Sequence, residues 1–288
     1  MEPERLDQTL MRQRAAALEE DARLATHGNR AALERLVRSI QGNIYGLALR
    51  MLCNREDAED ATQEILVRII TRLSQFDFRS RLTTWAYRIA VNYILDARKS
   101  AVERMHLSFE RFADDLTGGL ELQAPGETEH SLLIEEVKVA CTLGMLQCLD
   151  RPHRMVYVLG EILEMTGPEA SEILCIEPAL FRKRLQHARE AILGFTRRYC
   201  GLASDSAPCT CNRQLPAALR AGKIRETACD FAAAPSSFQQ ARARVRQVEE
   251  ARWALQVHRT TNPRPTSVDF ARRLAAALDT HLDPGPES

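Results

Sequence analysis

Three groups of residues have the types and spacing to do chemistry. Asp57, Glu59, Asp60, Gln63 and Glu64 fall on the exposed sides of the first two turns of a helix. An acidic face apart from basic ones can bind a protein partner while the basic faces bind DNA, although acids in a first helical turn also simply complement the helix dipole. Phe76-Asp77-Phe78-Arg79-Ser80-Arg81 interleaves aromatics with cations, followed by Arg88, Asn92, Arg98 and Lys99. Aromatic faces stack unpaired bases, and guanidinium groups hold the phosphates between them. The third group is the cysteines Cys200, Cys209, Cys211 and Cys229. Thiolates favour zinc or another thiophilic ion. The C-x-C pair strains a single tetrahedral site, so reduced thiols in a docking loop are the competing reading.

The elements positioning these groups read as helices. Ala58, Ala61, Ile65, Ile69 and Leu73 form one apolar stripe, and Leu82 to about Arg98 forms a second helix containing Trp85, Ile89, Val91, Ile94 and Leu95. The place of Trp85 in that stripe favours core. Leu33, Leu36, Val37, Ile40, Ile44 and Leu47 mark an earlier amphipathic helix, with Asn29 as its N-cap. Residues 1–28 read as a helical lead-in, and Asn54 as the left-handed residue of the turn before Arg55.

From Met105 to His130 the pattern decays around Gly118-Gly119 and Pro125-Gly126, which reads as a flexible linker. At about 3.3 Å per residue it would reach roughly 80 Å. Residues 131–148 resume a helix in which Cys141 and Cys148 sit at core positions. Pro152 to Leu163, Pro168 to Leu174 and Pro178 to Arg198 then form three short helices, the last two a helix-turn-helix. Its second helix should expose Glu177, Ala179, Phe181, Arg182, Lys183 and Gln186 to a DNA groove, with Arg184 and Arg189 adding charge. A basic three-helix bundle that binds protein is the bland alternative.

Two stretches resemble bacterial RNA polymerase sigma factors of the extracytoplasmic-function group. Asp57, Ala58, Glu59, Asp60, Gln63 and Glu64, then Phe78, Ser80, Thr84, Trp85, Tyr87, Arg88, Ile89, Ala90, Asn92, Asp96, Arg98 and Lys99, match the region 2 pattern in order. Leu149, Arg154, Val156, Leu159, Glu169, Ala170, Ile173, Leu174, Ile176, Arg184, Leu185, Ala188 and Arg189 match region 4, where Cys175 replaces the usual turn glycine. The resemblance implies that Asp60, Gln63 and Glu64 dock on the clamp coiled coil of the largest subunit of core RNA polymerase, with the flap of the second largest as a further contact. Phe78, Arg79, Ser80, Arg81, Arg88, Asn92, Arg98 and Lys99 would take the −10 element of promoter DNA. Arg182, Lys183, Arg184, Gln186 and Arg189 would take the −35 element. An anti-sigma factor is a candidate partner.

The expected fold is all-α: a lead-in at 1–28, region 2 at 29–104, a linker at 105–130, region 4 at 131–198 and a mostly helical cysteine-bearing extension at 199–288. In that extension Thr266 or Ser267 would cap a last helix carrying Phe270, Leu274 and Leu278. Net charge is zero, from 39 basic and 39 acidic residues, but the signs segregate along the chain. No apolar run approaches a membrane span and the N-terminus is polar, unlike a signal peptide, so the expected location is cytoplasmic. No catalytic constellation or required cofactor stands out. A stand-alone helix-turn-helix regulator is the alternative function, but it would have no need of the Asp60-Gln63-Glu64 face.

Overall fold

The computed structural model describes residues 2–97, 101–120, 131–225, 258, 263 and 265–280. Among them every named element is helical, and the chain divides into two compact units. The first comprises Met1–Ala48, Glu56–Ala97 and Thr266–Ser288; the second comprises Leu49–Arg55 and Arg98–Pro265.

In the first unit, α1 (Glu2–Thr26) and α2 (Arg30–Leu52, through Ala48) precede α3 (Arg55–Thr71), a 3-10 turn (Leu73–Gln75) and α4 (Leu82–Asp96). Asn29 caps α2, its Oδ1 accepting from the Ala32 amide at 3.0 Å. Apolar positions recurring every three or four residues make the core: Leu36, Ile40 and Ile44 from α2, Ala58, Ile65 and Ile69 from α3, and Ala86, Ala90 and Ile94 from α4. Leu73, expected in the stripe of α3, is buried but belongs to the 3-10 turn that follows.

The end of the chain returns to this unit as α12 (Phe270–Thr280), with Phe270 and Ala271 buried. Its cap is Asp269, whose Oδ1 accepts from the Arg272 amide at 3.1 Å and whose carboxylate pairs with Arg38 of α2 at 3.0 Å. Thr266, expected as the cap, instead accepts from the Val268 amide and donates to Glu59 of α3 at 2.8 Å. An Asx cap one residue before the helix competes better than a hydroxyl four residues away.

The second unit contains α5 (Ala101–Arg104), α6 (Phe109–Gly118), α7 (Ser131–Gln147), α8 (Arg151–Tyr157), a π-type turn (Val158–Ile162), α9 (Gly167–Leu174), α10 (Pro178–Tyr199) and α11 (Cys211–Arg220). Helix α6 corrects the reading of 105–130 as linker throughout. Ser108 caps it, accepting from the Arg111 amide at 3.2 Å, and Phe112, Ala113 and Leu116 are buried. Ten helical residues rise about 1.5 Å each, so the reach of the stretch shortens by roughly 20 Å.

A buried ionic cluster joins several segments. Glu103 accepts from Arg151 at 2.6 and 2.7 Å and from Arg154 at 3.0 Å. Arg154, 3 % exposed, also donates to the carbonyls of Leu146 (2.9 Å), Leu149 (3.0 Å) and Met51. It thereby satisfies carbonyls that helix ends leave without partners.

The left-handed residue after α2 is Cys53 (φ 53°), not Asn54. At the corner between α9 and α10 the left-handed residue is Cys175 (φ 51°), where a non-glycine residue carries a strain of about 1 kcal/mol. The segment after residue 199, expected as one extension, is divided: Cys200–Ile224 packs within the second unit and Thr266–Thr280 within the first.

Candidate nucleic-acid interface

Asp60, Gln63 and Glu64 are all exposed on α3, while Ala61, Ile65 and Leu66 between and beside them are buried. The apolar stripe therefore fixes which way the three polar side chains face. One turn past Glu64, the guanidinium of Arg68 lies 4.6 Å from the centre of the Tyr93 ring. Partial burial raises the Tyr93 pKa, with Glu64 and Asp60 reinforcing the shift and Arg68 opposing it. Acidic stripe and aromatic contact thus adjoin.

Tyr93 also lines a groove of about 380 Å³ between α3 and α4. Arg68, Arg72 and Gln75 form one wall; Trp85, Arg88 and Asn92 form the other. Three guanidinium groups beside a half-buried indole are suited to a nucleotide: charge for phosphate, a flat face for a base. Arg88 and Asn92 are residues expected at such a site; Arg68, Arg72 and Gln75 are additional to the expected set, and Trp85, expected in the core, lines the groove. The available signal was the i, i+4 repeat of Arg68 and Arg72 opposite the buried stripe.

The loop before α4 is ordered by its aromatics. Phe76 is buried, its ring centre 4.6 Å from that of Phe78 and 5.3 Å from that of Trp85. Phe78 has a left-handed backbone (φ 58°), and the guanidinium of Arg23 lies 4.8 Å from its ring centre. The Asp77 carboxylate accepts from the Arg79 amide at 3.1 Å and pairs with its side chain at 3.3 Å, closing a tight Asx-type turn. Arg79 and Arg81 are exposed and Ser80 is half-buried. Arg98 and Lys99 lie outside the described residues.

In the second unit, Thr166 and Glu169 form a reciprocal capping box at the start of α9. On α10, Phe181, Leu185, Ala188 and Ile192 are buried in steps of four, three and four. Phe181 is therefore a core anchor, contrary to the expectation that it faces DNA. It packs near Gly160, where an added Cβ would come within 3.0 Å of Leu185 and 3.3 Å of Phe181. Arg182, Lys183 and Gln186 are exposed as expected, and Arg184 is half-buried. Arg189 pairs with Glu161, whose side chain in the π-type turn is 2 % exposed. Part of its charge is thus committed inside the fold.

Cys200, Cys209 and Cys211 do gather, near Cys141 of α7, around a cavity of about 30 Å³. Burial raises the pKa of each, most strongly for Cys209 and Cys211. Among the described residues no three His, Cys, Asp or Glu are spaced to hold a metal ion, and Cys229 lies outside them. No helix among the described residues is long and apolar enough to cross a membrane.

Part of the chain is similar to known proteins. The Sigma-70 region 2 family matches residues 36–103, which include α3, the aromatic loop and α4. The ECF RNA polymerase sigma factor SigW of Bacillus subtilis (strain 168) is 30 % identical over 167 residues, 57 % of this chain and 89 % of that protein. The RNA polymerase sigma factor CnrH of Cupriavidus metallidurans is 30 % identical over 173 residues, covering 57 % and 86 %. A solved structure of CnrH in complex with the cytosolic domain of CnrY covers 61 % of this chain and 94 % of that one, at 23 % identity and a TM-score of 0.45. With identity at that level along nearly the whole of SigW, and region 2 matched where the acidic stripe adjoins the arginine groove, the chain belongs to the ECF sigma factors of RNA polymerase.

Proposed function

We propose that the two faces of the α3–α4 pair divide the work of a sigma factor. The stripe Asp60, Gln63 and Glu64 docks on the clamp coiled coil of core RNA polymerase, and the adjoining groove receives the non-template strand of the −10 element. The observation that carries this is the adjacency itself: exposed carboxylates run along α3 into Arg68 and Arg72, opposite Trp85 and Arg88. A strand held there would lie where the polymerase is anchored.

Opening duplex costs a few kcal/mol per extruded base. Stacking on an aromatic face returns about 1–3 kcal/mol per base, and the guanidinium groups add phosphate attraction. Capture of transiently opened DNA is therefore close to balanced, so small sequence differences at the −10 element decide whether it stays open. On α10, Arg182, Lys183 and Gln186 point away from the buried stripe and would grip the −35 element, with backbone amides of the helix start available to phosphate. The chain needs no catalytic group of its own, because RNA synthesis is the polymerase's chemistry, and it works in the cytoplasm where that enzyme is.

The test is transcription in vitro from a mapped promoter with purified core polymerase. Wild-type protein should support core-dependent initiation, and Asp60→Lys/Glu64→Lys should lose both initiation and association with core. Tight specific DNA binding without core, and no core-dependent transcripts, would overturn the reading.

A further inference from the structure

The second unit contains a pocket that promoter recognition does not use. It lies between α6, α7 and α11 and has a volume of about 380 Å³, within the range of small-molecule sites. Leu116, Val137, Leu143 and Ala218 give it apolar walls. The thiols of Cys53 and Cys141 face it as well; burial pushes both up to about 12, so they stay uncharged. Gln214, the polar residue most deeply set there, donates its Nε2 hydrogen to the Leu116 carbonyl and is thereby satisfied. On α7, Gly144 leaves room for Phe112: an added Cβ would stand 3.2 Å from that ring.

The rim is different. Arg111 is exposed on α6, and no ion pair engages it among the described residues. One turn further, Asp115 faces Lys223 at 3.7 Å. The lone acid at the rim is thus matched by a lysine, which leaves the Arg111 guanidinium as the charge available to a ligand.

We propose that this pocket binds an amphipathic organic anion, an apolar ring system or chain carrying one acidic group, with its body between α6, α7 and α11 and its acid at Arg111. An apolar body gains by leaving water for such walls, whereas a wholly polar ligand would meet almost no partners inside. Because α11 lies beyond α10 in the chain and α7 before it, an occupant would tie the cysteine-bearing segment to the helix that precedes the DNA-binding helices.

The test uses the full chain and two dyes with the same aromatic body, 1-anilinonaphthalene-8-sulfonate and the uncharged N-phenyl-1-naphthylamine. Both should bind the folded protein saturably at one site. Arg111→Ala should weaken the sulfonate about tenfold, the scale of a charged hydrogen bond, and leave the neutral dye unchanged. Ala140→Phe, which fills the pocket from α7, should abolish binding of both; should that variant fail to fold, Ala221→Trp at the exposed rim serves in its place. Absence of saturable binding, equal affinity after filling, or a sulfonate affinity indifferent to Arg111 would each overturn the proposal.

Discussion

The Arg23 guanidinium sits 4.8 Å from the centre of the Phe78 ring, joining α1 to the loop that precedes α4. With Phe76 packed at 4.6 Å, the Phe78 ring already has two neighbours before any nucleic acid arrives. A base that stacks on Phe78 must share it with Arg23 or displace it. Phe78→Ala should therefore lower promoter opening by the equivalent of about 1–3 kcal/mol. Arg23→Ala should change it by less, near the 0.5–1 kcal/mol of an exposed cation–π pair. Fluorescence of 2-aminopurine placed in the −10 element reads both; equal, large losses from the two variants would mean that the loop is merely collapsing.

Reversal of the acidic stripe is expected to separate binding from stability. Asp60 and Glu64 are exposed, so Asp60→Lys/Glu64→Lys should leave the melting temperature within a few degrees of wild type. Core association, followed by gel filtration or fluorescence anisotropy, should fall by more than tenfold. A matching loss of stability would point instead to helix capping as the main role of these acids.

Arginines of the second unit should divide sharply. Arg154→Met takes one of the two guanidinium partners from the buried Glu103, which keeps Arg151, and leaves the Leu146 and Leu149 carbonyls without their donor; it should cost about 3 kcal/mol of unfolding free energy. Arg182→Ala lies on the exposed face of α10 and should cost almost no stability, while weakening −35 binding by about 1–3 kcal/mol if it reaches a base edge. Urea unfolding and DNA binding by a −35 duplex, measured on the same preparations, distinguish the two outcomes.

These contrasts also show what could be read from residue order. The stripes of α2, α3 and α4 were legible because amphipathic helices repeat every three to four residues over several turns. Phe181 was misplaced although its own stripe with Leu185, Ala188 and Ile192 was present; its basic neighbours outweighed the period. Helix α6 was missed because Phe109, Phe112, Ala113 and Leu116 span barely two turns before Gly118-Gly119. The Glu161–Arg189 pair bridges 28 positions in sequence, so no local pattern announces it. The gathering of Cys141 with Cys200, Cys209 and Cys211 likewise depends on how α7 and the segment after α10 meet.

Acid should loosen one contact before the rest. His258 is buried, its ring 5.4 Å from that of Tyr157, and burial with Arg50 nearby lowers its pKa to about 3 from the ordinary 6.5. The unfolded chain takes up a proton below about pH 6.5 while the folded chain does not until about pH 3, so stability is complete above 6.5 and declines as pH falls through that window. His258→Phe should flatten the decline between pH 6.5 and 5 in urea titrations. An unchanged slope would place the histidine in water.

The cysteines should react unequally with iodoacetamide at pH 8. Cys175 is exposed at the corner of the helix-turn-helix and should be alkylated first. Cys209 and Cys211 are buried with raised pKa values and should be protected until the protein unfolds. Mass spectrometry of the modified peptides gives the order. A stoichiometric thiophilic ion in reduced protein, lost in Cys209→Ser/Cys211→Ser, would instead arrange these thiols around metal.

The Glu103–Arg154 contact has a thermal consequence. Peeling away α5 or α8 breaks the pairs of Glu103 with Arg151 and Arg154, and moving the end of α7 takes the Leu146 carbonyl from Arg154, so each segment loses buried partners when another leaves. The tip of α5, the end of α7 and the start of α8 should therefore melt in concert, as a single calorimetric event rather than a staircase.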